Sequence, residues 1–284
     1  MKTILLPTDF SENALNAIKY ALAMYQNENC EFILLNSFDV NGYVEGSTFE
    51  AKPFLAKIEE AKEKTVNRLN SLKGFLTTSQ AKENQTFKIA AKNKTIIDAI
   101  QEEINSKNIE LVVIGTQGAT GRYELDFGST TIAIIENIKN CPILAVPRNE
   151  RFTGINEIVF ANGYKLKNDA NDFKFLVYLS KMFKSPIRVL HISETGGLSP
   201  LQEENKNNVK HHLAETEQTF HLLEHVSVPV GIYCFSESRN SDMIAFVNKK
   251  YTFIEKLFFK PLYKNLGHYA KIPVLVLHRT HTQQ

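Results

Sequence analysis

The sequence predicts an α/β protein of two tandem open domains, each a parallel five-stranded sheet with helices on both faces. Three observations predict it. Short apolar runs alternate with amphipathic helical segments through the first half, which implies parallel strands joined by helical crossovers. The runs are continuous rather than alternating, as in strands covered on both faces. The same wording then recurs in the second half of a chain of 284 residues, a length that suits two domains.

The elements follow in order. Ile4-Leu5-Leu6 is a strand closed by the turn signal Pro7-Thr8-Asp9. Ser11 can cap a helix over 12–25, with Leu15, Ile18 and Leu22 on one apolar face. Phe32–Leu35 is a buried strand, and a charged helix is expected over 54–72. Phe87–Ala90 is the third strand, and Thr95 starts a helix through about Asn105. Leu111–Ile114 is the fourth strand and ends at Gly115; a glycine-bearing loop then leads to a helix at Gly128-Ser129. Ile143–Val146 closes the set.

In the second half, Ile158–Tyr164 repeats Ile4–Phe10 at a shift of 154, Val189–Ser193 answers Leu34–Phe38, and Ile272–Val276 answers Cys141–Ala145. The domains expected are 1–148 and 154–284, separated by the aperiodic polar stretch Arg148–Gly154. Residues 1–148 hold 16 Lys+Arg against 18 Asp+Glu, net −2, and the remainder 17 against 13, net +4. Scattered basic residues of this kind argue for divergence after duplication rather than a nucleic-acid surface. No apolar run reaches a membrane span, Met1–Pro7 has no leader-like apolar region, and three widely spaced cysteines form no disulfide framework. The expectation is a cytoplasmic protein with neither nucleic-acid nor membrane partners.

Chemistry concentrates in Gly115-Thr116-Gln117-Gly118-Ala119-Thr120-Gly121 and, after Arg122–Phe127, in Gly128-Ser129-Thr130-Thr131. The stretch leaves a strand and opens a helix, where open α/β sheets bind ligands. Gly115 and Gly118 are read as allowing φ > 0 and close approach to a bulky anion. The helix start at Gly128-Ser129 offers backbone N–H groups, a favourable dipole and a hydroxyl to a phosphate. Gly-Lys-Ser/Thr is absent from the loop, as is G-x-G-x-x-G from the first turn. The 115–129 loop holds no His or Lys to act as acid, base or nucleophile, so binding is favoured over turnover.

Gly115-x2-Gly118-x9-Gly128-Ser129 resembles the nucleotide-binding pattern of the ATP-binding branch of the universal stress protein family. Leu6-Pro7-Thr8-Asp9-Phe10-Ser11 is similar to that family's opening motif, and Cys141–Val146 to its closing strand. The resemblance covers 1–147 and continues more faintly to 284. It implies a Rossmann-like fold with strand order 3-2-1-4-5 in each domain and association of domains through their fifth strands. It implies an adenine nucleotide (ATP or another, with Mg as a companion ion) bound for regulation in a stress response. Pro7, Thr8 and Asp9 would line the adenosine end, and Ser37 would meet adenine through its backbone. Gly115, Gly118, Gly128, Ser129 and Thr130 would hold ribose and phosphates. The alternative is a nucleotide hydrolase or transferase of the adenine-nucleotide α-hydrolase-like group. Two tandem domains further imply an intrachain pseudo-dimer, Ile143–Val146 against Val274–Leu277, with a homodimer as a further association.

Several residues carry two readings. Asp9 is either a ligand or a turn residue. Arg122 either neutralises phosphate or lies solvated, and Glu124 and Asp126 either hold a divalent cation or are loop carboxylates. His221-Leu222-Leu223-Glu224-His225 matches H-x-x-E-H, with two histidines on one expected helix face, but lacks a third ligand. Its continuation, Val226–Pro229, reads as the approach to a strand. Cys30 and Cys141 read as small buried hydrophobes, and Phe258 and Phe259 as core or interface. The second domain has Gly163 for Asp9, Ala161 for Pro7 and no glycine over 242–266, so it is expected to bind no nucleotide in this way.

Overall fold

Ten strands join edge to edge into one sheet. The computed structural model describes residues 1–38, 51–116 (side chains from 55), 128–193, 196–248 and 272–278. The first half contains β1 (Lys2–Pro7), α1 (Glu12–Met24), β2 (Cys30–Ser37), α2 (Ala51–Ser79), β3 (Gln85–Lys92), α3 (Ile96–Ser106), β4 (Leu111–Gly115), α4 (Ser129–Asn137) and β5 (Ile143–Val146). The second contains β6 (Ile158–Ala161), α5 (Ala170–Phe183), β7 (Ile187–Ser193), α6 (Pro200–His212), β8 (Gln218–Glu224), α7 (Val228–Arg239), β9 (Met243–Asn248) and β10 (Val274–His278).

The strands run β3-β2-β1-β4-β5-β10-β9-β6-β7-β8, so each half has the order 3-2-1-4-5. The two sheets expected from sequence are one. β5 and β10 pair antiparallel, with Ala145 opposite Val274, Leu144 opposite Leu275 and Ile143 opposite Val276. An apolar four-residue edge such as β5 leaves backbone donors and acceptors open, and β10 covers them.

Two apolar layers cover the sheet. Ile4, Leu6, Phe32 and Leu34 pack under α1 and α2 on the face that also holds Phe160, Phe173 and Val209. Leu5, Ile33, Leu35 and Ala145 pack under α3 and α4 on the other, together with Ala161, Leu190 and Ile232. α1 starts where Ser11 caps it, its hydroxyl accepting from Ala14 N at 3.2 Å, and Thr95 caps α3 in the same way. α2 runs past the expected Leu72, because Leu76 continues the buried line of Thr65 and Leu69.

The internal repeat holds at the level of register. Leu6 faces Leu34 and Phe160 faces Val189. The Thr8 amide donates to the Leu35 carbonyl at 2.8 Å, and that of Asn162 to Leu190 at 2.9 Å. Both turns then place an aromatic residue at positive φ, Phe10 at 65° and Tyr164 at 51°.

Two expectations fail in the second half. His221–Glu224 ends strand β8 and His225 follows it at φ 57°, so the two histidines do not lie on one helix face. Among the described residues no cluster of three His, Cys, Asp or Glu side chains could hold a metal ion. Val226–Pro229 opens α7 instead of approaching a strand, since Pro229 lies in the helix's first turn, where its missing N–H costs nothing. Cys30 and Cys141 are buried as expected, and burial pushes both thiols up to about 12. Phe258 and Phe259 lie outside the described residues.

At the lower edge of the second half, Glu157 accepts hydrogen bonds from Arg188 Nε, from Arg239 Nε and Nη2 (each 2.7 Å) and from Ser241 Oγ (2.9 Å). Burial alone would raise its carboxyl, but the bonds from Arg239, Arg188 and Ser241 outweigh it and hold the group at about 2. A depressed carboxylate stabilises the fold above its unfolded value, near 4.5, and loses that contribution as pH falls towards 2. Glu157→Gln is therefore expected to be less stable by roughly 3 kcal/mol at neutral pH. The variant should also lose much of the wild type's acid-induced destabilisation between about pH 4.5 and 2, as read from urea midpoints at each pH. Equal pH slopes in both proteins would disprove it.

Candidate functional site

β1 is central, and its turn leaves towards α1 on one face while the loop after β4 leaves towards α4 on the other. Helices on opposite faces mark the carboxyl ends of these two strands as the place where an open α/β sheet takes a ligand. On the β1 side a set of short bonds fixes the turn. Asn36 Nδ2 donates to the Thr8 carbonyl at 2.6 Å, the Phe10 amide to Thr8 Oγ1 at 3.0 Å and the Ser11 amide to Asp9 Oδ1 at 3.0 Å. Pro7 and Thr8 are buried by this arrangement, and Asp9 is left exposed at the tip.

On the β4 side, the Thr116 amide donates to the Val146 carbonyl at 3.0 Å, and the Gly128 amide donates to the Thr116 carbonyl at 2.6 Å. Thr131 Oγ1 donates to the Gly115 carbonyl at 2.8 Å. The two ends of the intervening loop are thereby fastened together, and α4 starts beside the end of β4. Gly128 is its N-cap with no side-chain cap bond, and Ser129 and Thr130 are exposed in its first turn. Uncapped amides and hydroxyls at a helix start suit an anionic group.

Pro7, Thr8, Asp9, Gly115, Gly128, Ser129 and Thr130 thus gather at one end of the sheet. Ser37 ends β2 one strand away, opposite Lys92 of β3. Gly118 and Arg122 lie outside the described residues, as do Glu124 and Asp126. One reading of the glycines needs correction: Gly115 is not among the glycines at positive φ, and Gly128 has φ −69°. The reason for glycine at 115 is space. A Cβ there would lie 2.8 Å from Asn13 Cγ and 3.1 Å from the Asn13 carbonyl oxygen, and closer still to Nδ2. Sequence reasoning missed Asn13 and Asn36, and named Thr131 without its bond to Gly115; the signal for Asn36 was a carboxamide ending an otherwise apolar strand.

The matching end of the second half is built differently. His191 takes the place of Asn36, its Nδ1–H donating to the Asn162 carbonyl at 2.9 Å, and its ring stacks on Tyr164 at 5.0 Å. Asn205 Nδ2 donates to the Tyr164 carbonyl at 2.8 Å, and Gln202 Nε2 to that of Gly163 at 3.0 Å. Tyr164 and His191 are both buried, and Gly163 is exposed at the tip as Asp9 is in the first half. Burial also lowers the His191 imidazole below its usual value.

The model of the universal stress protein family matches residues 1–147. The chain belongs to that family. Universal stress protein MJ0577 of Methanocaldococcus jannaschii is 28% identical over 155 residues, which covers 52% of this chain and 95% of the relative. MJ0531 of the same organism is 26% identical over 154 residues, 53% of this chain and 84% of the relative. A universal stress protein structure from Archaeoglobus fulgidus matches at 15% identity over 99% of this chain and 97% of its own, with a TM-score of 0.63. That likeness shows the fold along both halves of this universal stress protein. Among the described residues no helix is long and apolar enough to cross a membrane.

Proposed function

We propose that this universal stress protein is an adenine-nucleotide-binding regulator of the cytoplasm. It holds one nucleotide, ATP or a relative with or without Mg, in a domain spanning 1–148. Pro7, Thr8 and Asp9 line the adenosine end, and Ser37 meets adenine through its backbone. The backbone of Gly115, with Gly118, Gly128, Ser129 and Thr130, receives ribose and phosphates, and Arg122 faces the phosphate charge. A degenerate domain, 154–284, packs on the first as an intrachain pseudo-dimer partner and binds none. The observation that carries the reading is the start of α4 beside Thr116, with no side-chain cap, and with Ser129 and Thr130 exposed at the same end of the sheet as the Asp9 turn. Denaturing freshly purified protein should release adenine nucleotide, identified by absorbance and mass spectrometry. Protein that carries none, and that binds none when ATP, ADP and AMP are titrated in, would refute the reading.

A further inference from the structure

Gly115 and Asn13 form a packed pair. Asn13 is 4% exposed, so its carboxamide cannot swing into solvent to make room for a methyl group at 115. The contact joins the first turn of α1, which carries the β1 turn with it, to the last residue of β4. Three residues further along the same helix, Asn16 Nδ2 donates to the carbonyls of Pro147 at 3.0 Å and Glu150 at 2.8 Å, just past β5. The face of α1 bearing Asn13 and Asn16 is thus seated on the ends of β4 and β5.

The second half supplies a control. Strand pairing puts Met243 opposite Ile158 as Leu111 is opposite Ile4, so Val247 occupies the position of Gly115. There the helix begins later: α5 starts at Ala170, six residues after Tyr164, whereas α1 starts at Glu12, two residues after Phe10. Glycine accompanies the short turn and the close helix, and a buried valine stands where the turn is longer.

We propose that Asn13 is a positioning residue for the nucleotide site: by filling the space beside Gly115 it sets the spacing between the Pro7–Phe10 turn and the end of β4. The glycine at 115 is then demanded by the asparagine and not by the ligand. This rests on the nucleotide reading above for its effect on affinity, but the packing itself does not.

The test is a double-mutant cycle on the full chain with Gly115→Ala, Asn13→Ala and both together, read by ATP and ADP titration and by amide hydrogen exchange of the nucleotide-free proteins. Gly115→Ala is expected to weaken nucleotide binding at least tenfold and to speed exchange across 8–16. Asn13→Ala removes Cγ and Nδ2 and leaves only the 3.1 Å carbonyl contact, which a shift of a few tenths of an ångström relieves. The double variant should therefore recover most of the affinity and protection lost in Gly115→Ala. Losses in the double variant equal to or greater than those of Gly115→Ala would overturn the proposal, as would a Gly115→Ala protein that matches wild type. If the wild type binds no nucleotide, the functional reading fails by itself. The exchange cycle then still decides: recovery in the double variant supports the Asn13 spacing role, and its absence overturns it.

Discussion

Gly128→Val is expected to weaken adenine-nucleotide binding by at least about 100-fold, or ~3 kcal/mol, with a circular dichroism spectrum and melting temperature near wild type. Gly128 sits at φ −69°, ψ 153°, an extended conformation that valine adopts without strain. The added isopropyl group would stand over the first amides of α4, where a phosphate must approach. Fold and binding are thereby separated. Unchanged affinity would remove the start of α4 from the site, and a large fall in melting temperature would show that glycine serves the fold.

Residues 1–148 expressed without the second half are expected to self-associate, as dimers or larger aggregates. β5 is buried along its whole length, and its outer edge is satisfied by β10. Removing β10 exposes unpaired N–H and C=O groups on an apolar strand. It also strips the aromatic seam in which Phe152 meets Tyr20 at 5.3 Å and Phe183 at 5.5 Å. Sedimentation of the fragment against the full chain measures this. A monomeric, soluble fragment whose β5 amides exchange no faster than in the full chain would contradict it.

Most of the strand and helix plan was legible because it is written in local terms. Continuous apolar runs marked the strands, and Ser11 and Thr95 marked helix starts that the structure keeps. The constant shift of 154 matched the two turns, and the structure adds a positive φ at both Phe10 and Tyr164. Failures came where long-range packing decides. His221–His225 carries helical spacing of histidines, yet pairing with β7 makes the segment through Glu224 a strand. Gly115 invited a conformational reading, but only the folded helix reveals that Asn13 occupies the space. Asn36 and His191 were unremarkable strand-end residues until the structure placed both on the carbonyl of the preceding strand's turn. The strand contact that fuses the sheet, Ile143–Val146 with Val274–Leu277, joins segments more than a hundred residues apart and was expected from the family resemblance and the open edges, not from local pattern.

The central claim is one nucleotide per chain, held at the ends of β1 and β4, with none at the matching end of the second half. Isothermal titration of the nucleotide-stripped full chain with ATP, repeated on Gly128→Val, tests it most directly. The account predicts a stoichiometry of one for wild type and no saturable binding for the variant. Two equivalents per chain, or one that survives Gly128→Val unchanged, would contradict it.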